Sequence, residues 1–149
     1  MARNSLMAGA LALLFLVPGA WAAGSVQEER HELMESGKDA AKPIGAMMKG
    51  EQAFDAAIVM ESFGVWEHVA ATAGDLFPPG SETGYDTEAR DTIWTDREGF
   101  NAALKNFADA VDAAIEAAPQ DLDALNAAAG PVFKACKGCH ENYRVEKEN

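Results

Sequence analysis

Residues 122–144 read LDALNAAAGPVFKACKGCHENYR, and this stretch decides the class of fold. Its apolar residues recur every three or four positions, which predicts the inward face of an amphipathic α-helix. We expect the helix to start at Asp121. Gly130-Pro131 interrupts it and predicts either a kink or a fresh helix start with Pro131 in the first turn. We expect this helix to bury Leu122, Leu125, Val132, Phe133, Cys136 and Tyr143.

Three further helices are predicted upstream from the same kind of spacing. The first covers residues 26–49, and Pro43 should kink it because proline donates no backbone hydrogen bond. The second covers residues 51–73, and the third covers residues 96–119, starting at its N-cap aspartate. The one long loop is residues 76–91. Short connections between the other helices predict an all-α, antiparallel four-helix bundle. From the second helix we expect Phe54, Ile58, Val65 and Val69 to face inward.

The N-terminal segment is typical of a secretory signal peptide. Arg3 is followed by the apolar run 6–17 and by the small-residue cleavage pattern Ala20-Trp21-Ala22. As a helix, residues 6–17 would reach only about 18 Å, which is short of the roughly 30 Å membrane core. We therefore predict cleavage after residue 22. The product, residues 23–149, would be a single exported domain without a membrane anchor.

Both cysteines of the chain lie in the motif Cys136-Lys137-Gly138-Cys139-His140. Cys-x-x-Cys-His is the attachment pattern for c-type haem. Residues three apart share a helix face, so both sulfurs can bond one edge of the macrocycle. His140 follows directly, and its imidazole can then reach the iron. Export agrees with this prediction, because bacteria attach haem c outside the cytoplasm.

Two other uses of the cysteines have weaker support. A dithiol oxidoreductase places Cys-x-x-Cys at a helix start after a strand, and no strand is predicted before Cys136. A zinc site needs about four ligands. The remaining candidates, His31 and His68, have no paired spacing.

Net charge excludes one class of partner. The chain carries a formal charge of −12 at pH 7, which argues against binding nucleic acid and favours a basic partner surface, if the protein has a partner. Among the many acidic residues, no carboxylate dyad or nucleophile–base pair stands out. The sequence thus indicates a binding or carrier protein and not an enzyme.

The sixth position of the iron is the open question. No methionine or histidine follows His140, so a sixth protein ligand must come from an upstream helix or be absent. The residues alone do not select this ligand, and the family resemblance described below implies Met34 in the first helix. If Met34 binds the iron, the protein is a low-spin electron carrier. If it does not, the vacant position can take a small gas.

The chain resembles cytochrome c′, the class II c-type cytochromes, over nearly all of residues 23–149. The segments that carry the resemblance are RHELM at 30–34, MKG at 48–50, Phe77, Ile93-Trp94 and CKGCHENYR at 136–144. Pro43 and Pro131 depart from the usual pattern. The resemblance implies a bundle with the haem near one end and one haem c bound through Cys136 and Cys139. It also implies a periplasmic homodimer that pairs through the first two helices.

By this resemblance, His140 is the sole protein ligand of a five-coordinate, high-spin iron that binds NO and CO. Met34 and Phe77 would close the distal face, Arg30 would lie near a haem propionate, and Arg144 would lie near the proximal face. Electron transfer to an unidentified redox partner is the other implied role. Without the resemblance, other roles remain possible for these residues. Met34 and Phe77 could simply pack in the core, Arg30 could belong to a solvated ion-pair face, and Arg144 could cap the last helix.

Overall fold

The computed structural model describes residues 23–145, whose regular structure is helical. The helices are α1 (Ala23–Met48), α2 (Ala56–Thr72), α3 (Thr92–Thr95), α4 (Arg97–Ala117) and α5 (Leu122–Tyr143), and a 3₁₀ turn, Ala73–Leu76, extends α2. The predicted signal peptide, residues 1–22, lies outside the described residues. Within residues 23–145, none of the helices combines the length and the apolar character that crossing a membrane requires.

Aspartate caps fix where three of the helices begin. The Asp96 side chain accepts a hydrogen bond from Gly99 N at the start of α4. The Asp121 side chain accepts one from Ala124 N at the start of α5. The Asp96 cap and the helix start at Asp121 were both predicted. The predicted start of the second helix was wrong, because Asp55 caps α2 at Ala56 and the chain turns before it, through Gly50 with φ 75°.

The two internal prolines do not divide their helices. Pro43 lies inside α1 and Pro131 lies inside α5, so the alternative of a fresh helix start at Pro131 was wrong. The residue after each proline, Ile44 or Val132, is fully buried. Packing of these side chains compensates for the single hydrogen bond that each proline removes.

The four long helices form the bundle, with one edge packed more weakly than the others. The close contacts are α1 with α2, α2 with α4, and α4 with α5. The remaining edge, between α1 and α5, makes far less contact. The helix that carries the cysteine motif is therefore loosely packed against the first helix.

Buried side chains form two clusters. The main core runs through the bundle and includes Phe63, Trp66 and Val111. The second, which we call the end cluster, consists of Phe77, Ile93, Phe100 and Tyr143.

Not every predicted core position is buried. Leu122 was expected inside but is 37% exposed. In α2, Val59 and Phe63 take the inward positions expected for Ile58 and Val65, which are only partly buried. The stacking of Phe63 on Trp66, with ring centres 5.6 Å apart, fixes this face.

Candidate haem-attachment site

The cysteine motif lies in the last turns of α5. Cys136 and Cys139 are unpaired and partly buried. Cys136 packs against the main core, and Cys139 packs against the end cluster. The two thiols, one helical turn apart, therefore face inward where the clusters meet. Beside them, His140 is exposed in part, and its imidazole is partly shielded from solvent.

The environment of the thiols keeps them protonated. Burial, with the neighbouring Cys139 adding to it, raises the pKa of Cys136 to about 11. Burial also raises the pKa of Cys139. A dithiol oxidoreductase needs the opposite, a lowered pKa at a helix N-terminus. The geometry and the electrostatics both disfavour that alternative.

The surroundings of His140 favour the neutral form of its imidazole. Partial burial of its ring, followed by the positive charge of Arg144, lowers its pKa, and Glu88 opposes this effect. A lowered pKa favours the neutral imidazole, which is the metal-binding form. Among residues 23–145, no group of three or more His, Cys, Asp or Glu side chains is placed to bind a metal ion unaided. A haem iron needs only axial ligands from the protein, so this donor set fits a haem.

Met34 lies on the helix opposite the motif. It is partly buried in α1 and packs against the main core, as Cys136 does from α5. These two helices form the loosely packed edge of the bundle. Met34 and Cys136 thus pack against the same core from two different helices.

Arg30 binds the loop that follows α2, and it is not part of a solvated ion-pair face. It is 5% exposed and donates to Leu76 O at 3.3 Å, Ser81 O at 3.1 Å and Thr87 Oγ1 at 3.2 Å. Its guanidinium lies over the Phe77 ring. Burial lowers the pKa of Arg30, yet a guanidinium stays charged in proteins.

The two predicted distal residues pack against different clusters. Phe77 is buried in the end cluster, against which Cys139 also packs. Met34 packs against the main core, as Cys136 does. Arg30 contacts the Phe77 ring directly, and Met34 follows Arg30 by one turn of α1.

Arg144 caps the end of α5, which is one of the two roles that the sequence left open, and its place near the proximal face of a haem stays a prediction. Its backbone N–H donates to His140 O and ends α5, and it pairs with Ala89 in an isolated β-bridge. Its Nε lies 3.2 Å from the Glu88 carboxylate, and the side chain is exposed. The charge of Arg144 is close enough to His140 to lower the pKa of the imidazole.

Sequence reasoning missed several polar contacts around this end of the bundle. Buried Gln27 donates to Thr83 O at 2.6 Å, and Arg97 donates to Phe77 O at 2.9 Å. The Tyr143 hydroxyl donates to Asp96 Oδ2 at 3.0 Å. Asp96 was expected only as a helix cap, and no local pattern signals these long-range bonds.

The chain is similar to several known proteins. The family model described as cytochrome C′ matches residues 25–144. The solved cytochrome c′ from Rhodopseudomonas palustris is 36% identical, with a TM-score of 0.79, and the match covers 83% of this chain and 98% of that one. Cytochrome c-556 from the same organism, strain ATCC BAA-98 / CGA009, is 32% identical over 97% of each chain.

A further solved relative is a nitric oxide complex. It is a mutant cytochrome c prime from Alcaligenes xylosoxidans, 30% identical, with a TM-score of 0.74, and the match covers 83% of this chain and 97% of that one. The family match spans both cysteines and the histidine of the motif. With the helical bundle and the motif in place, the chain belongs to the cytochrome c′ family of haem proteins.

Proposed function

We propose that the chain carries one haem c, bound through thioether bonds from the Cys136 and Cys139 sulfurs, with His140 as the axial ligand. Two free, inward-facing thiols one helical turn apart support this proposal, as does the neighbouring imidazole. The haem supplies an iron that changes oxidation state and binds small ligands. Residues 1–22, as a cleaved signal, would place the holo-protein in the periplasm.

The geometry best supports binding of the neutral gases NO and CO at a five-coordinate, high-spin iron. The observation that carries this proposal is the apolar core against which Cys136 and Met34 both pack. Such a site offers few hydrogen-bond donors to a charged ligand, so neutral gases are favoured there. No methionine or histidine follows His140 along the chain. The nitric oxide complex of the A. xylosoxidans relative is in line with this function. The same iron would pass electrons to a redox partner.

Met34 favours a second candidate function. Its side chain is partly buried and packs against the same core as Cys136. A thioether in this position is a common axial ligand in electron-transfer cytochromes. With Met34 on the iron, the protein would be a low-spin electron carrier that does not bind CO.

Optical spectra of the exported holo-protein, reduced with dithionite before and after addition of CO, test the two candidates. A broad high-spin spectrum that shifts with CO is the result expected for gas binding. A sharp low-spin spectrum that ignores CO would make Met34 the ligand.

Covalent attachment is tested separately. The variant with Cys136→Ser and Cys139→Ser should lose all haem under denaturing conditions, whereas the unmodified chain should keep it. Haem that resists removal from this double variant would contradict the thioether assignment.

A further inference from the structure

The last turn of α5, which carries His140, is tied to the start of α4 by one carboxylate. Tyr143 Oη donates to Asp96 Oδ2 at 3.0 Å. The other oxygen, Asp96 Oδ1, accepts from Gly99 N at 3.2 Å and caps α4. Asp96 therefore links two elements. One is the start of α4, which it caps, and the other is the last turn of α5, which carries His140.

The phenol in this tie has little freedom to move. Tyr143 is 9% exposed, and its ring packs edge-on against Phe100 with the ring centres 5.3 Å apart. Cys139 packs against the same cluster. A Cβ at Gly99 would collide with both Asp96 Oδ2 and Tyr143 Oη. The contact depends on the absence of a side chain at Gly99.

The backbone of the same turn is held from its other side. Arg90 donates twice, from its Nη1 to the Glu141 carbonyl at 3.1 Å and from its backbone N–H to the Tyr143 carbonyl at 3.0 Å. The Thr92 hydroxyl donates to the Asn142 carbonyl at 3.2 Å. These donors precede α4 by only a few residues. The turn after His140 is thus clamped between residues 90–92 and Asp96.

His140 lies three residues before Tyr143, so the two side chains share one face of the helix. Any rotation of the last turn that moves the phenol also moves the imidazole. Partners outside the ligand set commonly fix the orientation of an iron-bound histidine and so tune the metal.

We propose that Asp96 and Tyr143 are positioning residues for His140, which set the orientation of its imidazole toward the haem iron. This inference rests on the haem attachment proposed above. It holds whichever group occupies the sixth position, because the tie acts on the proximal ligand.

Tyr143→Phe is the primary test. It keeps the ring packing and the net charge and removes only the hydroxyl. Tyr85→Phe is the matched control, because Tyr85 is the only other tyrosine and also hydrogen-bonds a carboxylate, that of Glu28 at 3.4 Å. The readouts are the electron paramagnetic resonance spectrum of the ferric holo-protein and its midpoint potential. We expect both to change in Tyr143→Phe and to stay unchanged in Tyr85→Phe.

Asp96→Asn provides the second arm. Asparagine still caps a helix, so α4 should remain formed while the charged acceptor is lost. Asp121→Asn is its control, since Asp121 caps α5 in the same way at the far end of that helix and binds no tyrosine. Asp96→Asn also removes a negative charge, which by itself would shift the midpoint potential. For this variant we therefore compare only the electron paramagnetic resonance spectrum. We expect the ferric signal of Asp96→Asn to match that of Tyr143→Phe. The variant that carries both substitutions should show the same signal, with no further change.

Hydrogen exchange of the peptide around residues 136–145 in each holo-variant measures the last turn directly. It should quicken in Tyr143→Phe. An unchanged ferric signal and unchanged exchange in Tyr143→Phe would overturn the inference, and so would an equal change in Asp121→Asn. If covalent haem is absent from the parent protein, the proposed function fails, and the positioning role fails with it. A parent that holds haem while Tyr143→Phe behaves identically defeats the positioning role alone.

Discussion

The guanidinium carbon of Arg30 lies 4.5 Å from the centre of the Phe77 ring, so one side chain of α1 covers an aromatic ring of the end cluster. The loop that Arg30 binds continues to residues 88–92, which bond the end of α5. This loop therefore connects the helix of Met34 to the helix of His140.

Replacing Arg30 should destabilise this connection. Arg30→Ala would leave the Leu76 and Ser81 carbonyls and the Thr87 hydroxyl without their donor, in a region with little access to water. We expect the free energy of unfolding to fall by about 2–4 kcal/mol. Urea unfolding of the variant measures the change. Lys42→Ala, which breaks only an exposed ion pair with Asp39, should give no measurable change. Equal effects in the two variants would mean that the loop bonds contribute little.

The coordination state of the haem iron depends on whether the Met34 sulfur binds it. Two substitutions separate the possible roles of Met34. Met34→Leu keeps the side-chain volume and removes the sulfur. If the iron is five-coordinate, this variant should retain the parental high-spin spectrum, and Met34→Ala should bind CO faster because the distal side is opened. Stopped-flow CO binding measures the rate. A switch from low-spin to high-spin on Met34→Leu would instead identify the sulfur as the ligand, and an unchanged CO rate in Met34→Ala would show that Met34 is not the barrier.

Features that depend on local sequence were predictable here, and features that depend on packing were not. The Asp96 cap, the helix start at Asp121 and the helical cysteine motif follow from the neighbouring residues, and the structure confirms all three. The bonds of Arg30 cross at least 46 positions, and nothing near Arg30 signals them. The same applies to the bond between Tyr143 and Asp96. The cleaved leader and the homodimer stay predictions.

The raised pKa of Cys136 implies a pH dependence in the chain before haem is attached. The ordinary thiol value is 9.0 and the folded value is about 11, so folding favours the neutral thiol. At pH 8 the folded chain should hold about 100-fold less thiolate at this position than the unfolded chain. Alkylation of Cys136 by iodoacetamide should be slower in buffer than in urea by a similar factor. It should accelerate steadily as the pH rises toward 11.

The difference between the folded and unfolded pKa of Cys136 also predicts how the stability of the haem-free chain changes with pH. The unfolded thiol ionises first as the pH rises, so the haem-free chain should lose stability above about pH 9. Urea midpoints measured between pH 7 and pH 10 test this, with Cys136→Ala as the comparison. A parental midpoint that follows the Cys136→Ala midpoint over the whole range would mean that the thiol is not shielded by folding.

Two glycines in exposed or partly exposed helical positions should respond in opposite ways to alanine. Gly64 lies in the middle of α2, and a Cβ there meets nothing within 4 Å, so Gly64→Ala should raise the free energy of unfolding by about 0.5–1 kcal/mol. A Cβ at Gly99 collides with Asp96 and Tyr143. Loss of the cap and of the phenol bond should outweigh the gain in helix propensity, with a net cost of about 1–2 kcal/mol. Thermal unfolding of both variants measures the difference. In the Tyr143→Phe background, Gly99→Ala should cost less, because one of the two colliding oxygens is gone. An equal cost in both backgrounds would place the strain on Asp96 alone.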